Sequence, residues 1–111
     1  MRTEMDFRGL PRLDVSLSGI RPGVTETITE FAKKYDVELV ILFGSRARGD
    51  FKRTSDIDLA VSGGDFTRFA LDVDEETPTL LKYDFVNLDR DVQPELLREI
   101  YKDGKILYEK V

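Results

Sequence analysis

An apolar run, Leu39–Phe43, stops at Gly44-Ser45, and after ten further residues the chain continues as Asp56-Ile57-Asp58 and a second apolar segment. An uninterrupted apolar run ended by glycine is typical of a strand that is buried on both faces, and we predict this strand over Val37–Phe43. The residues from Asp56 to Ser62 predict a second strand, which carries two alternate carboxylates. This pair of strands and the basic loop between them are the part of the chain around which the rest is organised.

Apolar periodicity and the positions of proline and glycine predict the other elements. Residues 1–20 are the least regular part: Leu13–Leu17 alternates like a short strand, so this segment is either an edge strand or an arm. The whole chain, residues 1–111, is expected to form one α+β domain, a small mixed sheet flanked by helices. The predicted helices run from Pro22 to about Tyr35, over a short stretch 45–49, from 65 to about 76 and from Pro94 to about Lys102, and further strands cover Tyr83–Leu88 and Ile106–Tyr108.

The amino-acid composition excludes several kinds of chemistry. The chain has neither cysteine nor histidine, so disulfides, thiolate or imidazole metal sites and Ser-His triads are excluded. Any catalysis must use carboxylates, hydroxyls, Lys or Arg, or a metal held by oxygen ligands. The net charge of −5 argues against a general nucleic-acid-binding protein. Without a signal-peptide pattern or an apolar run long enough to span a membrane, the protein is expected to be soluble and cytoplasmic.

Asp56 and Asp58 are candidate metal ligands. Side chains alternate along a strand, so both carboxylates project from one face, roughly 6–7 Å apart along the chain. Two ionised carboxylates this close repel each other unless a cation or a shared proton relieves the repulsion. Because no histidine or cysteine is available, Mg²⁺ is the natural partner, and a two-metal site would activate phosphoryl displacement. The alternative is that both aspartates lie on the solvent face of an amphipathic strand.

Gly44-Ser45 is a candidate phosphate-binding turn. Glycine allows the backbone to approach a ligand closely, and amides at the start of a short helix beginning at Ser45 could bind phosphate. The alternative is that Ser45 is only a helix cap. Four cations follow within the loop, and they form either a basic patch near that phosphate or an ordinary solvated loop. These cations are Arg46, Arg48, Lys52 and Arg53.

The spacing of Gly44-Ser45, ten residues and Asp56-x-Asp58 resembles the signature of the DNA polymerase β-like nucleotidyltransferase superfamily. More closely, the stretch GSRARGDFKRTSDIDLAVS is similar to that of the minimal nucleotidyltransferases of bacteria and archaea. The resemblance extends from the helix before the first strand to the end of the chain, and residues 1 to about 20 lie outside it. It implies a third carboxylate on a neighbouring strand, and the segment Lys82–Leu88 supplies it as Asp84.

The resemblance also implies a reaction, the transfer of AMP from ATP to an acceptor hydroxyl with two Mg²⁺ ions. Asp84 would bind the metal on the acceptor side and help to deprotonate the hydroxyl. The implied roles are metal binding and catalysis by Asp56, Asp58 and Asp84, and binding of the β- and γ-phosphates by Gly44 and Ser45, helped by Arg46 and Arg48.

The predicted elements are too few to include an acceptor domain, so we expect a second protein to supply the acceptor. Minimal nucleotidyltransferases pair with a small all-helical HEPN-type or substrate-binding protein, in several cases a toxin that is silenced when AMP is added to a tyrosine. The resemblance therefore implies an antitoxin in a hetero-oligomer, with no membrane or direct nucleic-acid partner. Two alternatives stay open: a small-molecule acceptor such as an aminoglycoside, and a non-catalytic module that neutralises its partner by contact.

Overall fold

The computed structural model describes residues 6–111; residues 1–5, part of the predicted N-terminal arm, lie outside it. Two 3-10 turns precede the first long helix, Phe7–Gly9 and Val15–Leu17. The helices are α1 (Pro22–Lys34), α2 (Ser45–Arg48), α3 (Phe66–Glu76) and α4 (Pro94–Asp103), and the strands are β1 (Leu39–Phe43), β2 (Ile57–Ser62), β3 (Tyr83–Asn87) and β4 (Lys105–Glu109).

The four strands form one mixed sheet in the order β3-β2-β1-β4. Strand β1 runs antiparallel to both β2 and β4, whereas β2 and β3 are parallel and are connected through α3. Every residue of β1 is buried, as its continuous apolar run predicted. The mixed sheet with its helices confirms the predicted α+β class.

The two faces of the sheet pack against different helices. Helices α1 and α3 cover one face, where Ile28 and Phe69 contact the residues of β2 that include Leu59. Helix α4 covers the other face, where Ile100 packs against Ile41 and Ala60. Alternate residues of β2 therefore point into two separate cores, which determines the face on which each of its polar side chains lies. No helix within residues 6–111 is long and apolar enough to cross a membrane.

Most predicted boundaries agree with the structure to within one or two residues. Strand β1 begins at Leu39 rather than Val37, and β2 begins at Ile57, directly after Asp56. Pro22 occupies the first turn of α1, as predicted. The Asp65 side chain caps α3 by accepting a hydrogen bond from the backbone N–H of Arg68.

Of the two alternatives for Leu13–Leu17, an edge strand or an arm, the edge strand is wrong. Residues Val15–Leu17 form a 3-10 turn, because the Asp14 carboxylate accepts a hydrogen bond from the backbone N–H of Ser16 and so turns the chain away from an extended path. The contact with the sheet lies slightly earlier, where Arg12 forms an isolated parallel bridge with Ile106 of β4. The segment thus covers the free edge of β4 without becoming a strand.

A buried arginine holds the N-terminal segment against the loop between α2 and β2. The Arg46 side chain is 2% exposed, and its guanidinium stacks on Phe51 with its carbon 4.8 Å from the ring centroid. Gly19, at φ 70°, permits this packing, since a Cβ atom there would lie 2.3 Å from the Phe51 ring. Within the described residues, the guanidinium donates to four backbone carbonyls, those of Ser18 (3.1 Å), Lys52 (3.4 Å), Arg53 (3.1 Å) and Ser55 (3.0 Å).

We predict that Arg46→Met destabilises the fold by about 3 kcal/mol, because it leaves buried carbonyls without donors. Arg46→Lys is expected to recover part of this loss, since an ammonium group cannot reach all of the acceptors that the planar guanidinium reaches. The free energy of unfolding is measured by urea denaturation. Arg53→Met is the control, because that side chain is exposed, and an unfolding free energy of Arg46→Met equal to that of Arg53→Met would contradict the structural role.

Candidate active site

The turn after β1 lies directly against a carboxylate of β2. In the β1–β2 ladder Phe43 is the partner of Asp58, so the next residue, Gly44, passes over the Asp58 side chain. Gly44 has φ 76°, and a Cβ atom at this position would lie 2.2 Å from an Asp58 carboxylate oxygen. Only glycine fits this backbone conformation at this distance. The glycine predicted for close approach to a ligand is therefore in close approach to a predicted metal ligand.

Asp84 is the direct neighbour of Asp58 in the sheet. The two residues are partners in the parallel β2–β3 ladder, and paired residues of adjacent strands point to the same face. That face is the one covered by α4, because Ala60 and Val86, two residues further along their strands, pack in its core. Asp56 precedes Asp58 by two residues and is exposed, as Asp84 is, whereas Asp58 is half-buried. The three predicted carboxylates thus gather at one end of β2 and β3.

The carboxylates repel one another. Partial burial, followed by the charges of Asp84 and Asp56, raises the pKa of Asp58 to about 6. Glu99 of α4 adds to the increase, and Arg48 opposes it. Asp58 is consequently held in a position where a negative charge is unfavourable unless a cation is present.

Nothing in the described chain neutralises these charges directly. Within residues 6–111, no ion pair and no side-chain hydrogen bond involves Asp56, Asp58 or Asp84. In residues 6–111, no three acidic side chains are close enough together to bind one metal ion as they stand. Metal binding by the aspartates would therefore require their side chains to rotate. The donors are all carboxylate oxygens, the ligands that Mg²⁺ prefers, and a cation would relieve the repulsion on Asp58. The residues therefore fit the predicted cofactor chemically.

Ser45 and Arg48 belong to the same short helix, α2, beside the carboxylates. Ser45 is its first residue and is half-buried. The Arg48 guanidinium is close enough to lower the pKa of Asp58, and its Nε and Nη1 atoms donate to the carboxylates of Asp50 and Asp103, each at 3.2 Å. The described residues accept no hydrogen bond from its Nη2 atom, which leaves that group free for an anionic ligand.

The other arginine predicted to help with phosphate lies elsewhere. Arg46 is buried, and its guanidinium hydrogen-bonds to backbone carbonyls of the neighbouring loop and the N-terminal segment. This geometry argues against the predicted phosphate contact and gives Arg46 a structural role. The residue types of the basic loop could not distinguish these roles, because a buried and an exposed arginine look alike in sequence.

Sequence reasoning missed the contribution of α4. Asp103 anchors Arg48 across 55 residues of chain, and Glu99 acts on Asp58 through its charge. The positions of Asp103 and Glu99 in the sequence, far from Gly44–Asp58, do not indicate that either residue lies near the site. Only the packing of α4 on that face of the sheet brings them near.

Comparison with known proteins agrees with this geometry. The family model described as polymerase β, nucleotidyltransferase, matches residues 26–111. A Methanocaldococcus jannaschii protein that is provisionally named a protein adenylyltransferase is 33% identical over 97 residues, which cover 77% of this chain and 94% of that protein.

Solved structures show the same fold. A chain of the MntA–HpeT toxin–antitoxin complex superposes with a TM-score of 0.61 at 22% identity, covering 78% of this chain and 73% of its own length. A toxin–antitoxin structure with AMP-PNP gives a TM-score of 0.56 at 25% identity and the same coverage. A nucleotidyltransferase assigned provisionally in Sulfolobus solfataricus gives 0.52 at 27% identity, covering 86% of this chain and 87% of that one.

The match covers the whole of the region that contains Gly44, Ser45 and the three aspartates, and it continues to the end of the chain. The described fold, a four-stranded mixed sheet with helices on both faces, is the one that these relatives share. The chain is therefore a nucleotidyltransferase enzyme and belongs to the polymerase β-like nucleotidyltransferase family.

Proposed function

We propose that this protein uses Mg²⁺ to transfer AMP from ATP to a tyrosine hydroxyl of a small all-helical HEPN-type toxin and so acts as the antitoxin of that pair. The observation that carries the proposal is the pairing of Asp58 with Asp84 beneath the Gly44 turn. This arrangement combines a strongly acidic cluster with a backbone segment that has no side chain in the way of a ligand.

Each residue has a distinct task in the proposed reaction. Asp56 and Asp58 would hold Mg²⁺, and Asp84, the exposed carboxylate, would face the acceptor. When bound, Mg²⁺ supplies positive charge that stabilises the phosphates in the transition state. Ser45 and the Gly44 backbone would contact the β- and γ-phosphates, and the free side of the Arg48 guanidinium would add a charge-assisted hydrogen bond.

The chemistry is an in-line displacement at the α-phosphorus of ATP. The tyrosine oxygen forms a bond to phosphorus while the bond to the bridging oxygen of pyrophosphate breaks. The phenolic proton passes towards Asp84, and pyrophosphate leaves with the β- and γ-phosphates held near Gly44. The product is a tyrosine that carries AMP in a phosphodiester linkage.

The acceptor is inferred from relatives. The Methanocaldococcus jannaschii relative is named for adenylyl transfer to protein, and the structural relatives are toxin–antitoxin complexes, one of them with AMP-PNP. These names support a protein acceptor and an adenine nucleotide.

The proposal predicts that the protein, ATP and Mg²⁺ add a mass of AMP to a co-expressed HEPN-type partner, as measured by intact mass spectrometry. The double variant Asp56→Asn/Asp58→Asn is expected to lose at least 1,000-fold in rate, because amide groups hold Mg²⁺ poorly. Asp91→Asn is the control, since that carboxylate is exposed and is expected to leave the rate unchanged.

The possible outcomes separate the proposed functions. Failure to modify any partner, combined with AMP transfer to an aminoglycoside, would favour a small-molecule acceptor. Neutralisation of a toxin that survives in the double variant would show that contact is sufficient. Either outcome refutes protein AMP transfer as the basis of neutralisation.

We predict that Gly44→Ala abolishes AMP transfer and lowers stability, because the added methyl group would overlap an Asp58 oxygen and strain the backbone at positive φ. Gly23→Ala is the matched control: a Cβ atom there meets nothing within 4 Å, and alanine in a helix is expected to be neutral or to stabilise by up to about 1 kcal/mol. Thermal unfolding and initial rates are measured for both. Normal activity of Gly44→Ala would refute the close approach.

Asp58→Asn is expected to stabilise the metal-free protein at pH 7.5, by on the order of 1 kcal/mol once solvent screening is allowed for. The folded-state pKa of Asp58, about 6, lies above its ordinary value of 3.8, so the ionised carboxylate destabilises the fold above pH 6. That penalty, and hence the gain from Asn, disappears as the pH falls from 6 towards 4.

With Mg²⁺ and AMP-PNP, the wild type should become more stable than Asp58→Asn, because the wild type binds the metal and nucleotide more tightly. The measurement is the thermal unfolding midpoint at pH 7.5 and pH 5, with EDTA or with Mg²⁺ and nucleotide, and Asp91→Asn is the control. Equal stabilisation of wild type and Asp58→Asn by Mg²⁺ and nucleotide would contradict metal binding by Asp58.

A further inference from the structure

A groove of about 1,040 Å³ lies at the end of the sheet where β2 and β3 begin. Its walls come from the start of α1, from the loop between α2 and β2, and from the segment between α3 and β3. The side chains that matter for its chemistry are Arg21, Arg46, Phe51, Arg53, Leu80 and Leu81.

The charge of this groove is opposite to that of the protein. Three arginines line it and no described carboxylate does, although the whole chain has a net charge of −5. Arg21 and Arg53 are exposed, and neither forms an ion pair with a residue in the range 6–111. Among residues 6–111, Arg46 donates only to neutral backbone carbonyls, so no acid of this part of the chain cancels its charge. The groove therefore attracts anions.

The same surface is also apolar. Leu80 is fully exposed, and Leu81 and Phe51 line the groove beside it. A fully exposed leucine next to unpaired arginines suits a ligand that carries both carboxylates and aliphatic or aromatic side chains. An acidic, partly apolar protein segment has both features.

Two of the groove residues lie only a few positions before the aspartates of the candidate active site in the sequence. The wall residue Arg53 precedes Asp56 in the loop, and Leu81 precedes Asp84 in the segment that enters β3. The two walls are joined where the backbone N–H of Ile57 donates to the carbonyl of Lys82 at 2.8 Å. The carboxylates of Asp58 and Asp84 lie on the α4 side of the sheet, whereas the groove includes Val24 of α1, on the other side of the same end.

We propose that this groove docks an acidic segment with aliphatic or aromatic side chains that belongs to the protein acceptor. Docking there brings the rest of the acceptor to the end of the sheet at which Asp84 lies. Identifying the docked protein as the acceptor rests on the proposed function; the existence of the docking surface does not. A nucleic acid is disfavoured, because it has no aliphatic side chains to cover the exposed Leu80 and the neighbouring Leu81.

The test uses a fluorescein-labelled random copolymer of glutamate and tyrosine, whose binding is followed by fluorescence anisotropy without ATP or metal. We expect saturable binding to the wild type and at least ten-fold weaker binding to Arg21→Glu/Arg53→Glu. Leu80→Asp should also weaken binding, and polyglutamate should bind less tightly than the copolymer because it lacks apolar groups. Higher salt should weaken all of these interactions.

Lys33→Glu/Arg90→Glu is the matched control, since it changes the net charge equally at exposed positions outside the groove. Folding of the groove variant is checked by its thermal unfolding midpoint. Arg21 flanks the N-terminus of α1, where a glutamate is favourable, so this substitution is compatible with the helix. Equal binding by the groove variant and the wild type, an equal loss in the control, or preferential binding of oligouridylate over the copolymer would overturn the proposal.

A second measurement separates this inference from the proposed function. With ATP and Mg²⁺, AMP transfer to tyrosines of the copolymer is followed with labelled ATP. Binding that depends on Arg21 and Arg53, without transfer to the copolymer or to a HEPN-type partner, would retain the docking surface and refute the protein acceptor. Transfer that is equally fast in wild type and Arg21→Glu/Arg53→Glu would retain the proposed function and refute the docking surface.

Discussion

The pairing of Phe43 with Asp58 in the ladder between β1 and β2 is the contact on which the candidate site depends. It places the Gly44 turn over the Asp58 carboxylate, and the next ladder aligns Asp58 with Asp84. A shift of either ladder by one residue would turn a carboxylate to the face covered by α1 and α3. The two buried cores resist such a shift, because every residue of β1 and alternate residues of β2 are committed to them.

The sheet holds three negatively charged carboxylates at one end, and their mutual repulsion destabilises the fold. Three carboxylates gather where two strands begin, and one of them has a pKa raised to about 6 because its ionised form is unfavourable there. A site prepared for a cation is expected to carry such a cost in its absence. Arg46 has the opposite effect and stabilises the fold: its buried guanidinium donates to three backbone carbonyls of the loop that leads to Asp56 and to the carbonyl of Ser18 in the N-terminal segment. The same loop forms one wall of the basic groove, so a single buried side chain supports both surfaces.

The regular elements were predictable because each carries its own local signal. The continuous apolar run predicted β1, and Pro22 and Pro94 predicted the starts of α1 and α4. The apolar residues around Asp84 predicted β3. Leu13–Leu17 has the same alternation as a strand, but the Asp14 carboxylate bonds to its own backbone and turns the chain. The burial of Arg46 could not be predicted for another reason: a cation beside a phosphate motif is indistinguishable in sequence from a cation that is buried against an aromatic ring.

The sequence by itself determined the family, the residue types available to the candidate site and the absence of histidine and thiol chemistry, since these depend on which residues are present and on their spacing. The sequence also predicted that Asp58 lies on a strand and that Asp56 lies two residues before it, because the apolar pattern of a strand is a local property of the chain. The tertiary structure alone decided which arginine faces the carboxylates, that Asp103 of α4 holds it, and that Arg21 and Arg53 meet Leu80 in one groove. Those contacts join residues far apart in the chain, and only the packing of helices on both faces of the sheet brings them together.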